Sequence, residues 1–149
     1  MIDSRLNLKI VRASAWYDLV ATTGFMTPWS ATLLLGGLSG LSVQLGLERP
    51  VPVMDVTAML FANLLGSIVV IWSVWRLRHA SRRVGRYDAC ARVLFAIWQL
   101  NAVSQGASLL ILMFTLMELL FALAQSLPVG RTSAFVGTPT PRESALGND

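Results

Sequence analysis

Apolar residues dominate four stretches of the chain, and short polar or basic stretches separate them. The apolar stretches extend over about 13–35, 56–77, 88–103 and 107–127. A helix needs about 20 predominantly apolar residues to cross a bilayer, and each stretch has or approaches that length. The pattern predicts an all-α membrane protein, a four-helix transmembrane bundle over 13–127.

Prolines and glycines mark the expected breaks. Pro28 lies inside the first stretch and predicts a kink, because proline removes one backbone hydrogen bond from a helix. The run Ser104-Gln105-Gly106 predicts a turn; the alternative is one buried helix of about 40 residues, far longer than a span requires. Residues 128–149 lack periodicity and predict a disordered tail.

Residues 1–12 form a basic N-terminal segment. A basic start before an apolar run also suits a signal peptide. However, the run over 13–35 is longer than the apolar core of a signal peptide, contains Asp18 and has no clear small-x-small cleavage site. The sequence therefore favours a membrane helix that stays in the protein.

The basic residues indicate an orientation. The N-terminal segment, the loop between the second and third stretches and the tail together hold 11 of the 12 Lys and Arg residues, and Arg49 alone lies on the other side. Because cytoplasmic loops carry an excess of Lys and Arg, both termini are expected in the cytoplasm.

Composition supports a membrane protein and narrows the chemistry. Charged residues are 13% of the chain and the mean hydropathy is +0.60, whereas a soluble domain carries about 25% charge. The pI near 10.2 could suit a nucleic-acid binder, but the basic residues flank apolar stretches and predict no such partner. One cysteine, Cys90, and one histidine, His79, are too few for a usual zinc site. We expect no metal and no cofactor.

Each predicted helix has polar or small residues spaced three and four apart, which places them on one face. Such faces should turn inward, because lipid offers them no hydrogen-bond partners. The candidate intramembrane polar site consists of Glu118, Arg92, Asp18, Asn63 and Gln99.

Depth makes ion pairing the main expectation for this site. At 1.5 Å per residue, Asp18 and Arg92 lie about 5–7 Å inside the cytoplasmic boundary and Glu118 about 12–14 Å. A carboxylate at depth costs roughly 2.5–3.5 kcal/mol unless it is paired or neutralised. With Arg92 taken as the one cation within reach, we expect it to pair with Asp18, Glu118 or both.

Less specific interpretations stand beside this one. Asp18 can be an interfacial residue without a special role, and Asp88 can pair with Arg92 four residues later on the same helix. Asn63 and Gln99 can serve as interhelical hydrogen-bonding groups.

Two tryptophans, Trp29 and Trp98, lie deeper than the other three. They are candidates to line a cavity for a flat apolar ligand. The alternative is packing between helices.

Two short sequence motifs each occur twice, which suggests an internal repeat. Tyr17-Asp18 opens the first apolar helix and Tyr87-Asp88 the third, and each pair follows a basic flank. Leu60-Phe61-Ala62 similarly matches Leu120-Phe121-Ala122. These matches are compatible with two parallel helical hairpins that arose by duplication of one hairpin, and also with coincidence.

Three strings carry a resemblance: Tyr17-Asp18 to Trp29, Leu60 to Ser67, and Arg86-Tyr87-Asp88 to Trp98-Gln99. They resemble a group of small proteobacterial inner-membrane proteins without an assigned activity, over about residues 12–128. In size and topology the chain is also similar to DoxX-like membrane proteins. The resemblance implies a multi-pass protein of the bacterial inner membrane and assigns no residue a role.

Three classes of function remain open. The first is an accessory or assembly subunit of a larger membrane system, with a membrane-protein partner or as a homo-oligomer. The second is a binder or carrier of a small apolar or ionisable molecule inside the bundle. The third is a lipid- or quinone-directed enzyme. The chain contains no phosphate-binding glycine loop, metal-ligand cluster or nucleophile paired with histidine, so we predict no catalytic residue.

Overall fold

The protein is all-α. The computed structural model describes residues 3–47, 51, 53–128 and 130. Within them the chain forms five helices: α1 (Ser4–Thr23), α2 (Pro28–Gln44), α3 (Val56–Arg78), α4 (Arg82–Ser104) and α5 (Ile111–Ser126). The predicted disordered tail falls largely on 131–149, outside the described residues.

The first predicted helix, over 13–35, is wrong in its bounds, because the chain there forms two helices. Most of the predicted N-terminal segment belongs to α1, and α1 ends at Thr23. Thr27 is extended, with φ −132° and ψ 153°, and its side chain accepts a hydrogen bond from the amide of Ser30. A residue before proline is disfavoured in the helical region, so Pro28 starts a new helix at its first position instead of kinking an old one.

The remaining boundaries agree more closely with the pattern. Helix α3 matches the second stretch, and α4 ends at the predicted turn, where Gly106 adopts φ +101°. Helix α4 begins six residues earlier than the predicted Asp88, because Ser81 caps it by accepting from the amide of Val84. The last helix, predicted from 107, begins at Ile111.

Two antiparallel helix pairs form the body of the protein: α1 packs against α3, and α4 against α5. Helix α1 also lies beside α4 and runs in the same direction, since Ser14 contacts Asp88 and Asp18 contacts Arg92. The two pairs are therefore arranged in parallel. Helix α2 has its main contacts with α3.

The distribution of side chains is inverted relative to a soluble protein. The largest fully buried side chains include two arginines, a glutamine and an asparagine, and five of the eight buried hydrophobic residues are alanine. Large apolar side chains instead lie on the surface, such as Leu33 (79% exposed) and Ile71 (70% exposed).

One helix of the described chain, α3, is both long and apolar enough to cross a membrane by itself. Only 11% of its apolar window is buried within the protein. The core helix of a soluble protein would be mostly buried.

Candidate functional site: a buried charged cluster

Arg92 is the centre of an ion-pair network between four helices. Its Nη1 donates to Glu118 Oε2 at 2.6 Å, and its Nη2 donates to Asp18 Oδ2 at 2.7 Å. Its Nε donates to Asp88 Oδ2 at 3.0 Å. Arg92 thus contacts both acids expected from the sequence, and also the acid one helical turn before it.

A second arginine lies in the same network, which corrects the assumption that Arg92 is the only cation within reach. Arg76 is fully buried. It forms an ion pair with Asp18 Oδ2 through Nη2, and its Nη1 lies 2.6 Å from Asp88 Oδ1. Each aspartate therefore bridges both arginines. The charged cluster, as we use the term below, is Asp18, Arg76, Asp88, Arg92 and Glu118.

Two neutral side chains add hydrogen bonds to the cluster. Gln125 donates from Nε2 to Asp88 Oδ2 at 2.8 Å and to Ser14 Oγ at 2.7 Å. The Ser14 hydroxyl also accepts from Arg76 Nη1 at 3.3 Å. Both residues are almost fully buried. Buried polar groups are normally hydrogen-bonded, yet Gln125 Oε1 and Arg76 Nε have no partner among the described residues.

Helical spacing explains why these side chains meet. Ser14 and Asp18 are four residues apart on α1, and Asp88 and Arg92 are four apart on α4. Residues at this spacing share one face of a helix. On α5, Glu118 and Gln125 lie two turns apart on the buried face.

Aromatic rings cover two sides of the cluster. The Phe121 ring lies 5.0 Å from Arg92 Cζ and 5.5 Å from the Tyr17 ring. The Trp72 ring lies 5.9 Å from Arg76 Cζ. Guanidinium groups are attracted to aromatic faces at such distances, so the rings shield the cluster and also stabilise its cations.

The cluster has one negative charge more than it has positive charges when every member is ionised: three carboxylates face two guanidinium groups. All three nitrogens of Arg92 already donate to acceptors. In contrast, Asp18 uses only Oδ2 for its two ion pairs, and its Oδ1 has no partner among the described residues.

The other two candidate polar residues lie outside the cluster. Asn63 donates from Nδ2 to the backbone carbonyl of Phe25 at 2.8 Å. That carbonyl lies between α1 and α2, so Asn63 satisfies a group released by the break in the helix. Gln99 is half-buried, and its Oε1 has no partner within the described part of the chain.

The two candidate cavity tryptophans lie on the outer surface instead. Trp29 is 78% exposed and Trp98 is 66% exposed. Each occupies the side of its helix that is opposite the buried positions, such as Ala31 on α2 and Ala96 on α4. The expectation that they line a cavity inside the bundle is therefore corrected.

A crevice of about 150 Å³ does reach the charged cluster, between α3 and α4. Helix α1 contacts both α3 and α4 and contributes Asp18 to the lining of the crevice. Leu65 and Trp72 line it from α3, and Phe95 lines it from α4. The ion-paired residues Asp18, Asp88 and Arg92 form its charged part, called its base below.

No protein-family model, curated protein or solved structure matches this chain. The resemblance to small proteobacterial inner-membrane proteins therefore stays a prediction.

Proposed function

We propose that this chain is a multi-pass protein of the bacterial inner membrane, with both termini cytoplasmic, and that it acts as an accessory or assembly subunit. In this role it docks against other membrane helices, either of a partner protein or of a second copy. The outward face of α2 is the observation that carries the proposal.

The inverted distribution of side chains supports a membrane location. In water, exposed apolar patches of more than a few hundred Å² are uncommon on a monomer. Here large apolar side chains are exposed along every helix, while charged side chains are paired in the interior. Lipid favours this arrangement, because apolar side chains need no cover there and polar groups need internal partners.

The basic residues support the orientation. Arg76 and Arg92 belong to the charged cluster, so they are removed from the count of loop charges. Nine of the remaining ten Lys and Arg residues still fall on the side of the termini, against Arg49 alone. The asymmetry therefore survives the correction.

The exposed side of α2 supports docking. Gly36, Gly37 and Gly40 lie on this side, and a Cβ added to any of them would have open space within 4 Å. Gly36 and Gly40 are four residues apart, the spacing that lets two membrane helices approach closely. Trp29 and Val43 flank the glycines and are 78% and 76% exposed. Together they form a shallow apolar surface that a neighbouring helix can cover.

A carrier or enzyme receives less support. Either would need a cavity that reaches Glu118, Asn63 and Gln99, whereas these residues do not line the crevice between α3 and α4. Its volume, about 150 Å³, has room for one benzene-sized molecule and not for a complete lipid or quinone.

Orientation can be tested with single cysteines. Cys90 is the only cysteine, so a Cys90→Ser background accepts one reporter at a time. We expect an impermeant maleimide to label Val53→Cys from outside spheroplasts, and to label Arg83→Cys only after the membrane is opened. The reverse pattern would overturn the proposed orientation, and loss of the protein from membranes washed with carbonate would overturn the membrane location.

Docking can be tested by gentle detergent purification, native mass measurement and mass spectrometry of co-purifying proteins. We expect a homo-oligomer or a partner in fixed stoichiometry. Gly36→Ile and Gly40→Ile should dissociate it, because each places a branched side chain on the docking surface. Leu33→Ile, which keeps the volume of a neighbouring exposed side chain, is the matched control.

The helix content of the variants, measured by circular dichroism, separates lost docking from lost folding. A wild-type chain that purifies as a stable monomer without a partner would refute the subunit proposal. Assembly that survives both glycine substitutions would refute the role of α2.

A further inference from the structure

The crevice between α3 and α4 combines features that the docking proposal does not use. It is apolar over most of its surface and charged at one end. Leu65 and Ile68 contribute aliphatic surface from α3, and Ala91 contributes a small side chain from α4. Trp72 and Phe95 place an aromatic ring on each wall.

The size of the crevice limits what can enter it. Its volume is about 150 Å³, and an apolar protein cavity of about that volume can hold a benzene-sized molecule. A ligand with one ring, or a short branched group of the same bulk, would fill the space. A sugar, nucleotide or complete lipid would not fit.

The charges at the base of the crevice favour a cation over an anion. Arg92 lines the base, but each of its three nitrogens already donates to a carboxylate. Asp18 also lines the base and keeps Oδ1 free of partners among the described residues. An incoming anion would meet arginine nitrogens that already bind carboxylates, whereas a cation would meet a carboxylate oxygen without a partner among the described residues.

The aromatic walls add to this preference. A cation within about 6 Å of an aromatic face is attracted by the ring, and the effect grows when water is excluded. Trp72 lies on the side of Arg76, while Phe95 makes no cation contact within the described chain. An organic cation would therefore find both a carboxylate oxygen and at least one unoccupied ring face.

We propose that the crevice between α3 and α4 binds a small organic monocation, an amine or ammonium compound of about one aromatic ring in size. Its charged nitrogen lies against Asp18, and its apolar part lies between Trp72 and Phe95. The site is independent of the α2 surface, so failure of either proposal leaves the other standing.

Benzylammonium is a suitable probe because it carries one ring and one positive charge at pH 7. Benzyl alcohol is its neutral counterpart, and phenylacetate is an anion of similar size. Binding to the purified full chain can be measured by equilibrium dialysis. We expect one benzylammonium per chain, at least tenfold tighter than benzyl alcohol, and no competition by phenylacetate.

Two variants test the position of the probe. Ala91→Leu fills the crevice without touching an ion pair and should abolish binding. Ala58→Leu is its matched control, since Ala58 is exposed on α3 and does not line the crevice; binding should be unchanged. Asp18→Asn should remove the preference for the cation over the alcohol.

Every other outcome overturns the proposal. Equal affinity for benzylammonium and benzyl alcohol would identify an apolar space that any chain or ring can fill. Tighter binding of phenylacetate would identify an anion site. Absence of benzylammonium binding, or binding that survives Ala91→Leu, would show that the crevice is not the site, and this test remains valid if Asp18→Asn fails to fold.

Discussion

The charged cluster and helix α2 are held in place to very different degrees. The cluster connects α1, α3, α4 and α5 through five ion pairs. Helix α2 carries no charged residue, packs mainly against α3 and exposes most of one side. The same chain thus contains a body in which four helices share polar contacts and a fifth helix outside that arrangement.

This difference shows what determines helix position in an apolar surrounding. Lipid is as apolar as leucine, so burying leucine between membrane helices gives little net gain. Buried polar groups without partners cost several kcal/mol in the same surrounding. In the membrane location proposed above, helices with charged side chains are therefore fixed by their partners, whereas α2 has no charged side chain to hold it in the same way.

The largest expected effect is destabilisation of the four-helix body, formed by α1, α3, α4 and α5, on the substitution Arg92→Gln. This change removes contacts to Asp18, Asp88 and Glu118 and leaves three carboxylates facing Arg76 alone. Removing one member of a buried ion pair typically costs about 3–5 kcal/mol. We expect a large drop in thermal stability and in abundance in the membrane, measured by circular dichroism and quantitative immunoblotting.

Arg82→Gln is the control for this loss, because Arg82 is exposed in the first turn of α4. It should change stability by less than about 0.5 kcal/mol, as surface substitutions usually do. Equal stability of the Arg92→Gln and Arg82→Gln variants would mean that the cluster does not hold the helices together.

The second-largest loss of stability is expected at Gly66, where α3 lies close to the backbone of Phe25. A Cβ at Gly66 would lie 2.8 Å from the backbone carbonyl carbon of Phe25. Gly66→Ala should therefore push α3 away from the break between α1 and α2, at a cost of about 1–3 kcal/mol. Thermal unfolding in detergent measures this cost.

Gly36→Ala on α2 sharpens the same comparison. Its added Cβ meets nothing within 4 Å, and alanine favours a helix over glycine by roughly 0.5–1 kcal/mol. We expect Gly36→Ala to be neutral or stabilising in the isolated chain. Similar losses at both glycines would contradict the view that α2 is exposed and α3 is closely packed.

The sequence predicted three of the five members of the cluster as one site, for a physical reason. Arg92, Asp18 and Glu118 stand inside apolar stretches, where an unpaired charge is costly, so pairing was the expected outcome. Arg76 stands at the end of an apolar stretch, where a basic residue predicts a loop next to the membrane. The spacing of Ser73 and Arg76 was the available signal, since it continues the inward face of α3 by three residues.

The sequence located the break between α1 and α2, but it could not decide whether the break was a kink or the start of a new helix. Proline inside a helix produces either a kink or a new helix, and both begin from the same residue types. The outcome depends on whether another helix satisfies the released backbone. Asn63 provides that partner from a position 38 residues away from Phe25, a distance that local pattern does not reveal.

The third-largest effect is expected at Asn63, the hydrogen-bond partner of the Phe25 carbonyl. Asn63→Leu removes the donor and leaves the carbonyl of Phe25 without that hydrogen bond. Polar contacts between membrane helices contribute about 0.6 kcal/mol on average and up to roughly 1.7 kcal/mol. We expect a loss in that range, smaller than the loss at Gly66, in the same unfolding measurement. No loss would mean that the break is stable without Asn63.

The smallest effect is expected at Gln99, where a polar side chain has no comparable contact. Its Oε1 is buried without a partner in the described part of the chain, and an unsatisfied buried acceptor costs about 1–3 kcal/mol. Gln99→Met keeps the length of the side chain and removes the amide, so stability should stay the same or rise slightly. A clear loss would instead indicate that the amide of Gln99 makes a stabilising contact and would contradict this expectation. Asn63 and Gln99 look equivalent in sequence, yet loss of the amide should destabilise the protein at Asn63 and should not do so at Gln99.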